Sequence, residues 1–101
     1  MKKHQEAVDN LFKENSWQYW SPLSILARLF EESGEFARII NHLFGDKKKK
    51  IEEAEQHLEE EIGDIIYTLI CFANSQNINL DEAIEKSINK VATRDKDRFN
   101  K

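Results

Sequence analysis

One cysteine, one proline and three glycines are all that this 101-residue chain holds of the residues that cross-link, kink and turn a backbone. A lone Cys71 excludes an internal disulfide framework, and its place in the apolar run "IIYTLICFA" makes it an inert core residue of a protein kept in the reduced cytosol. So little glycine and proline excludes a turn-rich β protein. No apolar run approaches the roughly 20 residues of a membrane span, and the opening "MKKHQEAVDNLF" has no apolar signal core, so a soluble, cytoplasmic protein is expected. Fifteen basic against nineteen acidic residues leave a net charge of -4, which argues against a non-specific surface for duplex nucleic acid. Zinc is disfavoured by the same poverty, with one cysteine and three scattered histidines.

What the chain does have is helical periodicity. Val8, Leu11 and Phe12 mark a first helix over about Lys3 to Asn15. After the aromatic break "NSWQYWSP", Ser21 and Pro22 supply an N-cap and a first-turn proline. The second helix then carries Leu26, Leu29, Phe30, Phe36, Ile39, Ile40 and Leu43 to Phe44, with Gly45 expected as a left-handed terminator. The lysine run in "GDKKKKIEEAEQ" reads as a charged, solvated hinge. A third helix starts between Ile51 and Glu55, and its apolar positions from Leu58 to Ala73 are broad enough to pack on more than one side. Asn79 followed by Glu82 reads as a capping box for a fourth, with the stripe Leu80, Ala83, Ile84, Ile88 and Val91 ahead of the charged tail "TRDKDRFNK". No repeat or linker divides the chain, so one all-α domain of four helices is expected.

Acidic residues stand where that stripe should be greasy. Glu32 and Glu35 are three apart on helix two, and Glu61 and Asp64 repeat the spacing on helix three, beside Leu58 and Ile65. Packed antiparallel, the two helices would bring four carboxylates together. At an effective dielectric near 20, two carboxylates about 5 Å apart repel by roughly 3 kcal/mol, so the gathering needs a counterion. Hard divalent cations take oxygen ligands, and Mg²⁺ combines a few carboxylates with waters and substrate phosphates. A di-iron bundle would need Glu-x-x-His motifs, whereas His57 follows Ala54 and His42 follows Ile39 at that spacing.

"EESGE" at 31–35, "EEIGD" at 60–64 and "NKVATR" at 89–94 together resemble the MazG-like nucleotide pyrophosphohydrolases of the all-α NTP pyrophosphatase superfamily, over about residues 20 to 99. The likeness is to the small single-domain bacillar type, which makes 1–101 one MazG-like domain. It implies a four-helix bundle-like fold assembling as a homodimer or homotetramer. It also implies a Mg²⁺-dependent enzyme, with Mn²⁺ as a substitute, that cleaves a nucleoside triphosphate to the monophosphate and pyrophosphate in cleaning up nucleotide pools. By that resemblance Glu32, Glu35, Glu61 and Asp64 are metal ligands, with Glu31 an additional ligand or a residue supporting them from behind. Glu35 or Glu31 is then the carboxylate that activates water. Lys90 and Arg94 fall where the family contacts the triphosphate, and their i, i+4 spacing puts both cations on one helix face. Trp17, Tyr19 and Trp20 precede helix two, where relatives place pocket aromatics, and Asn74 is a candidate for a base or sugar. Thr68 stands where relatives carry an aromatic four residues after the metal Asp, with Tyr67 beside it. A catalytically degenerate helical module that binds nucleotides or a partner protein is the alternative reading.

Overall fold

The computed structural model of the chain describes residues 1–45 and 51–99. The lysine run expected to form a hinge falls at 47–50, outside the described residues. Four α-helices follow one another: α1 (Lys2–Glu14), α2 (Pro22–Phe44), α3 (Ile51–Ser75) and α4 (Leu80–Phe99). Among the described residues there is no strand, and no helix is long and apolar enough to cross a membrane.

The local signals act as their chemistry requires. Ser21 Oγ accepts from the Ser24 N–H at 3.2 Å, and Pro22 occupies the first turn of α2. Asn79 Oδ1 accepts from the Glu82 N–H at 3.2 Å to start α4. That helix does not stop at its last apolar residue but runs on through the charged segment to Phe99. Ser16 and Asn77 adopt left-handed backbones, with φ of 55° and 56°. Each lets the next N–H reach back to the helix it closes, Trp17 to the Phe12 carbonyl and Ile78 to the Ala73 carbonyl, both at 2.8 Å. Gly45 corrects the expectation for α2, because its φ of -87° and ψ of -176° are extended rather than left-handed. Glycine is demanded there by crowding: a Cβ would collide with the Asn41 carbonyl, which the Gly45 N–H approaches to 2.9 Å.

The packed heart of the molecule is the pair α2 and α3, with α1 laid against α3. Ile25 near the start of α2 shares a core cluster with Cys71 near the end of α3, so the pair is antiparallel. Phe12 closes that cluster from α1, and Val8, Tyr19, Tyr67 and Phe72 pack around it. The buried stripe is shifted from the expected one. Ile25 is 3% exposed, while Leu26 and Phe30 are 46% and 71% exposed.

A polar clasp holds α1 in place. The Tyr19 hydroxyl donates to Asp9 and accepts from Asn74 Nδ2 at 3.0 Å, and the same Nδ2 donates to the Gln5 carbonyl at 3.0 Å. Gln5 Nε2 in turn donates to Asn74 Oδ1 and to the Ile78 carbonyl. Burial first, and then donation to Asp9, push the Tyr19 phenol up to about 12. At the chain start, the N-terminal ammonium lies 3.1 Å from Asp81 and, with the Lys2 N–H, holds that carboxyl below its usual range.

α4 is joined to the rest through that contact and through the Leu80 N–H to Gln5 Oε1, at 3.0 Å. Beyond its first turn, Ile84, Ile88 and Val91 remain 52%, 58% and 41% exposed. The radius of gyration, 17.2 Å, is accordingly well above the roughly 13 Å of a compact 100-residue domain.

Replacing Tyr19 by Phe leaves Asp9 and Asn74 each short of one partner and is expected to cost about 1 to 2 kcal/mol in urea unfolding at neutral pH. The unfolded chain ionises this phenol near its ordinary value of 10.0, and the folded chain only near 12. The difference between wild type and Tyr19→Phe is therefore expected to hold below pH 10 and to shrink as pH rises toward 12.

Candidate active site

Antiparallel packing of α2 on α3 brings Glu32, Glu61 and Asp64 together, one oxygen of each lying within 4.8 Å of the others. Glu32 and Glu61 are half-buried between the helices and Asp64 opens to solvent. The decisive atom is Glu61 Oε2, which is shut off from water and has no hydrogen-bond partner. Burial pushes the Glu61 carboxyl up to about 7, the adjoining Glu32 carboxylate adds to the rise as acceptor and as charge, and Asp64 and Glu35 contribute further repulsion. Three converging carboxyl oxygens suit a hard divalent cation. Glu32, Glu61 and Asp64 would hold it.

Thr68, one turn past Asp64, is 1% exposed and donates its hydroxyl to the Asp64 carbonyl at 2.8 Å. It thereby ties the backbone turn that presents Asp64 to the core. Gly34 and Gly63 sit in mid-helix beside the acids, and a Cβ on either would meet nothing within 4 Å. The approach to the carboxylates is open.

The other expected residues are placed as follows. Glu35 is outside the trio: its Oε2 pairs with Arg38, one turn on, at 2.6 Å, although its charge is felt at Glu61. Glu31 is exposed. Lys90 and Arg94 are exposed on α4, Arg94 within 3.6 Å of Asp95, and that helix does not bring them to the trio within one chain. Trp17 and Trp20 line a cleft of about 530 Å³ with Phe12, Ser16, Gln18 and Tyr67. Phe12 anchors its floor, stacked on Tyr19 at 4.3 Å and edge-on to Trp17 at 5.6 Å. Asn74 is not at this cleft, since its amide is spent on Gln5 and Tyr19 in the clasp that docks α1. Tyr67, Arg38 and Arg28 were not singled out from sequence. Only Tyr67, three residues after Asp64, had a local signal.

The MazG nucleotide pyrophosphohydrolase domain matches residues 20–99. The chain belongs to the MazG family. The uncharacterized protein YpjD of Bacillus subtilis (strain 168) is 46% identical over 101 residues, all of this chain and 91% of that protein. YvdC of the same organism is 26% identical over 93 residues, 86% and 88% of the two chains. The crystal structure of YpjD superposes with a TM-score of 0.78 at 45% identity, covering 93% of this chain and 94% of that one. That of a Bacillus-conserved MazG protein, a nucleotide pyrophosphohydrolase, gives 0.77 at 43% identity, covering 95% and 93%. Membership of the MazG family makes the protein a hydrolase of nucleotide pyrophosphate bonds.

Glu61→Gln removes the repelled, enclosed charge. Without divalent cation at pH 8 it is expected to raise the melting temperature by a few degrees, a domain of this size shifting by about 4 to 8 °C per kcal/mol. Millimolar Mg²⁺ or Mn²⁺ is expected to raise the melting temperature of the wild type and to leave that of Glu61→Gln unmoved, as read by differential scanning fluorimetry.

Proposed function

We propose that the protein is a cytoplasmic, Mg²⁺-dependent nucleoside triphosphate pyrophosphohydrolase, converting a ribo- or deoxyribonucleoside triphosphate and water to the monophosphate and pyrophosphate in the upkeep of nucleotide pools. The observation that carries this reading is the convergence of Glu32, Glu61 and Asp64, with one Glu61 oxygen buried and unpartnered, in a chain of this family. A bound Mg²⁺ would supply charge neutralisation and Lewis-acid polarisation at the phosphates. Glu32, Glu61 and Asp64 would hold the cation, with Glu35 as a further ligand.

Either Glu35 or Glu31 orients the attacking water and takes its proton as the new P–O bond forms and the anhydride P–O bond breaks. Glu35 is the better placed, because its charge is felt at Glu61 whereas Glu31 is exposed. The base enters the cleft of Trp17, Trp20 and Tyr67, where an indole face stacks on any base for about 1 to 3 kcal/mol.

The triphosphate cations Lys90 and Arg94 come from a second copy of the chain. Support for a homodimer or larger assembly is the set of exposed apolar ridges: Leu23, Leu26 and Phe30 on α2, Ile62, Ile66 and Leu69 on α3, and Ile84, Ile88 and Val91 on α4. Each repeats at helical spacing, and together they exceed what a monomer leaves in water. A non-catalytic nucleotide-binding or protein-interaction module is the second reading, favoured by the one observation that α4 stands apart from the acids.

A panel of canonical and modified nucleoside triphosphates with Mg²⁺, scored for pyrophosphate, is expected to reveal turnover that Glu35→Gln and Glu61→Gln each reduce by at least about 100-fold, removal of one such group costing on that order. An equally active Glu61→Gln enzyme defeats the proposal, and no turnover of any substrate favours the module. In sedimentation, the wild type is expected to run as a dimer or tetramer, and Ile88→Asp to run as monomer and lose activity.

A further inference from the structure

Arg28 is a cation stacked on an indole but paired with no carboxylate among the described residues, on the helix that carries Glu32. It occupies α2 one turn before Glu32, so the two side chains leave the same face of the helix. Its guanidinium lies over the Trp20 indole, 4.9 Å from the ring centroid. It is also near enough to Tyr67 for its charge to oppose the upward push that burial gives that phenol. Trp20 and Tyr67 are walls of the aromatic cleft, and Tyr67 follows Asp64 by about one turn of α3. Arg28 thus touches one wall of the cleft and shares a helix face with one of the carboxylates.

The fold gives the charge no other use. Arg28 is exposed, and among the described residues no carboxylate lies within ion-pair distance of it, although Glu31 and Glu32 are three and four residues on. Arg38 on the same helix behaves in the ordinary way and pairs with Glu35 at 2.6 Å. An indole holds a guanidinium flat while leaving its edge N–H donors free, and that planar fork matches two oxygens of one phosphate.

We propose that Arg28 is a substrate-binding residue that grips the phosphate next to the sugar, where a nucleotide with its base in the cleft must pass α2 to reach Glu32, Glu61 and Asp64. This rests on the pyrophosphohydrolase reading and adds to it the residue that measures the step from nucleoside to phosphate. A lysine at the position would keep the charge and lose the fork and much of the stacking.

The test is calorimetric titration, without metal, of the four deoxynucleoside 5′-monophosphates and the four parent deoxynucleosides into wild type, Arg28→Gln and Arg28→Lys. Arg28→Gln is expected to weaken the monophosphates by about 10- to 100-fold, the range of a charge-assisted hydrogen bond, and the nucleosides by less than about twofold. Arg28→Lys is expected to recover part of the loss, and kcat/KM for a triphosphate that is turned over is expected to follow the same order. Equal weakening of nucleoside and monophosphate would show a packing role and overturn the proposal, as would no change in monophosphate affinity and kcat/KM. Either result with wild-type turnover intact leaves the pyrophosphohydrolase reading standing. A wild type that neither turns over any triphosphate nor binds any of these ligands overturns both.

Discussion

Glu32 on α2 and Glu61 on α3 face one another across a helix pair, and one Glu61 oxygen there has neither water nor a donor. Burying an unpaired acceptor beside like charge is among the least favourable things a small core can do. The cost is met by the surroundings. Ile25, Ile39, Ile70, Cys71 and Ala73 pack the same two helices firmly enough to keep the carboxylates opposed. Thr68 uses a fully buried hydroxyl to tie down the turn that carries Asp64. A helix pair so arranged is less stable than an apolar one of the same length.

The second half of the site is organised by a different interaction. Tyr19, Asp9, Asn74 and Gln5 lock α1 and the segment after it onto the far end of α3. That lock fixes Trp17 and Trp20 on either side of it in sequence, so a loop without regular structure presents two indoles at a defined place. The features follow chain order: α1 and its loop carry the aromatic surface, and α2 and α3 carry the acids.

Much of this was legible because it is local. Ser21-Pro22 and Asn79 with Glu82 mark helix starts through bonds made within four residues, and the matched spacing of Glu32, Glu35, Glu61 and Asp64 shows which acids share a face. What stands opposite a face is not local, and there the reading fell short. Glu35 turns to Arg38 because an arginine one turn away competes with the trio. Asn74 looked free to meet a ligand because Gln5 and Tyr19 are 69 and 55 residues away in sequence. Gly45 has the residue type of a left-handed cap but is selected by a carbonyl crowding it, which only coordinates reveal. The outward turn of Leu26 and Phe30 was hidden by their sharing a broad apolar stripe with the truly buried Ile25 and Ile39.

Leu23 at 78% exposed and Phe44 at 76% are the extremes of surfaces that one copy leaves wet. Whatever covers them binds the folded chain and not the unfolded one, so it shifts the folding equilibrium by mass action. If that cover is another copy, dilution alone loosens the protein. Its resistance to heat or urea is then a property of concentration as much as of sequence.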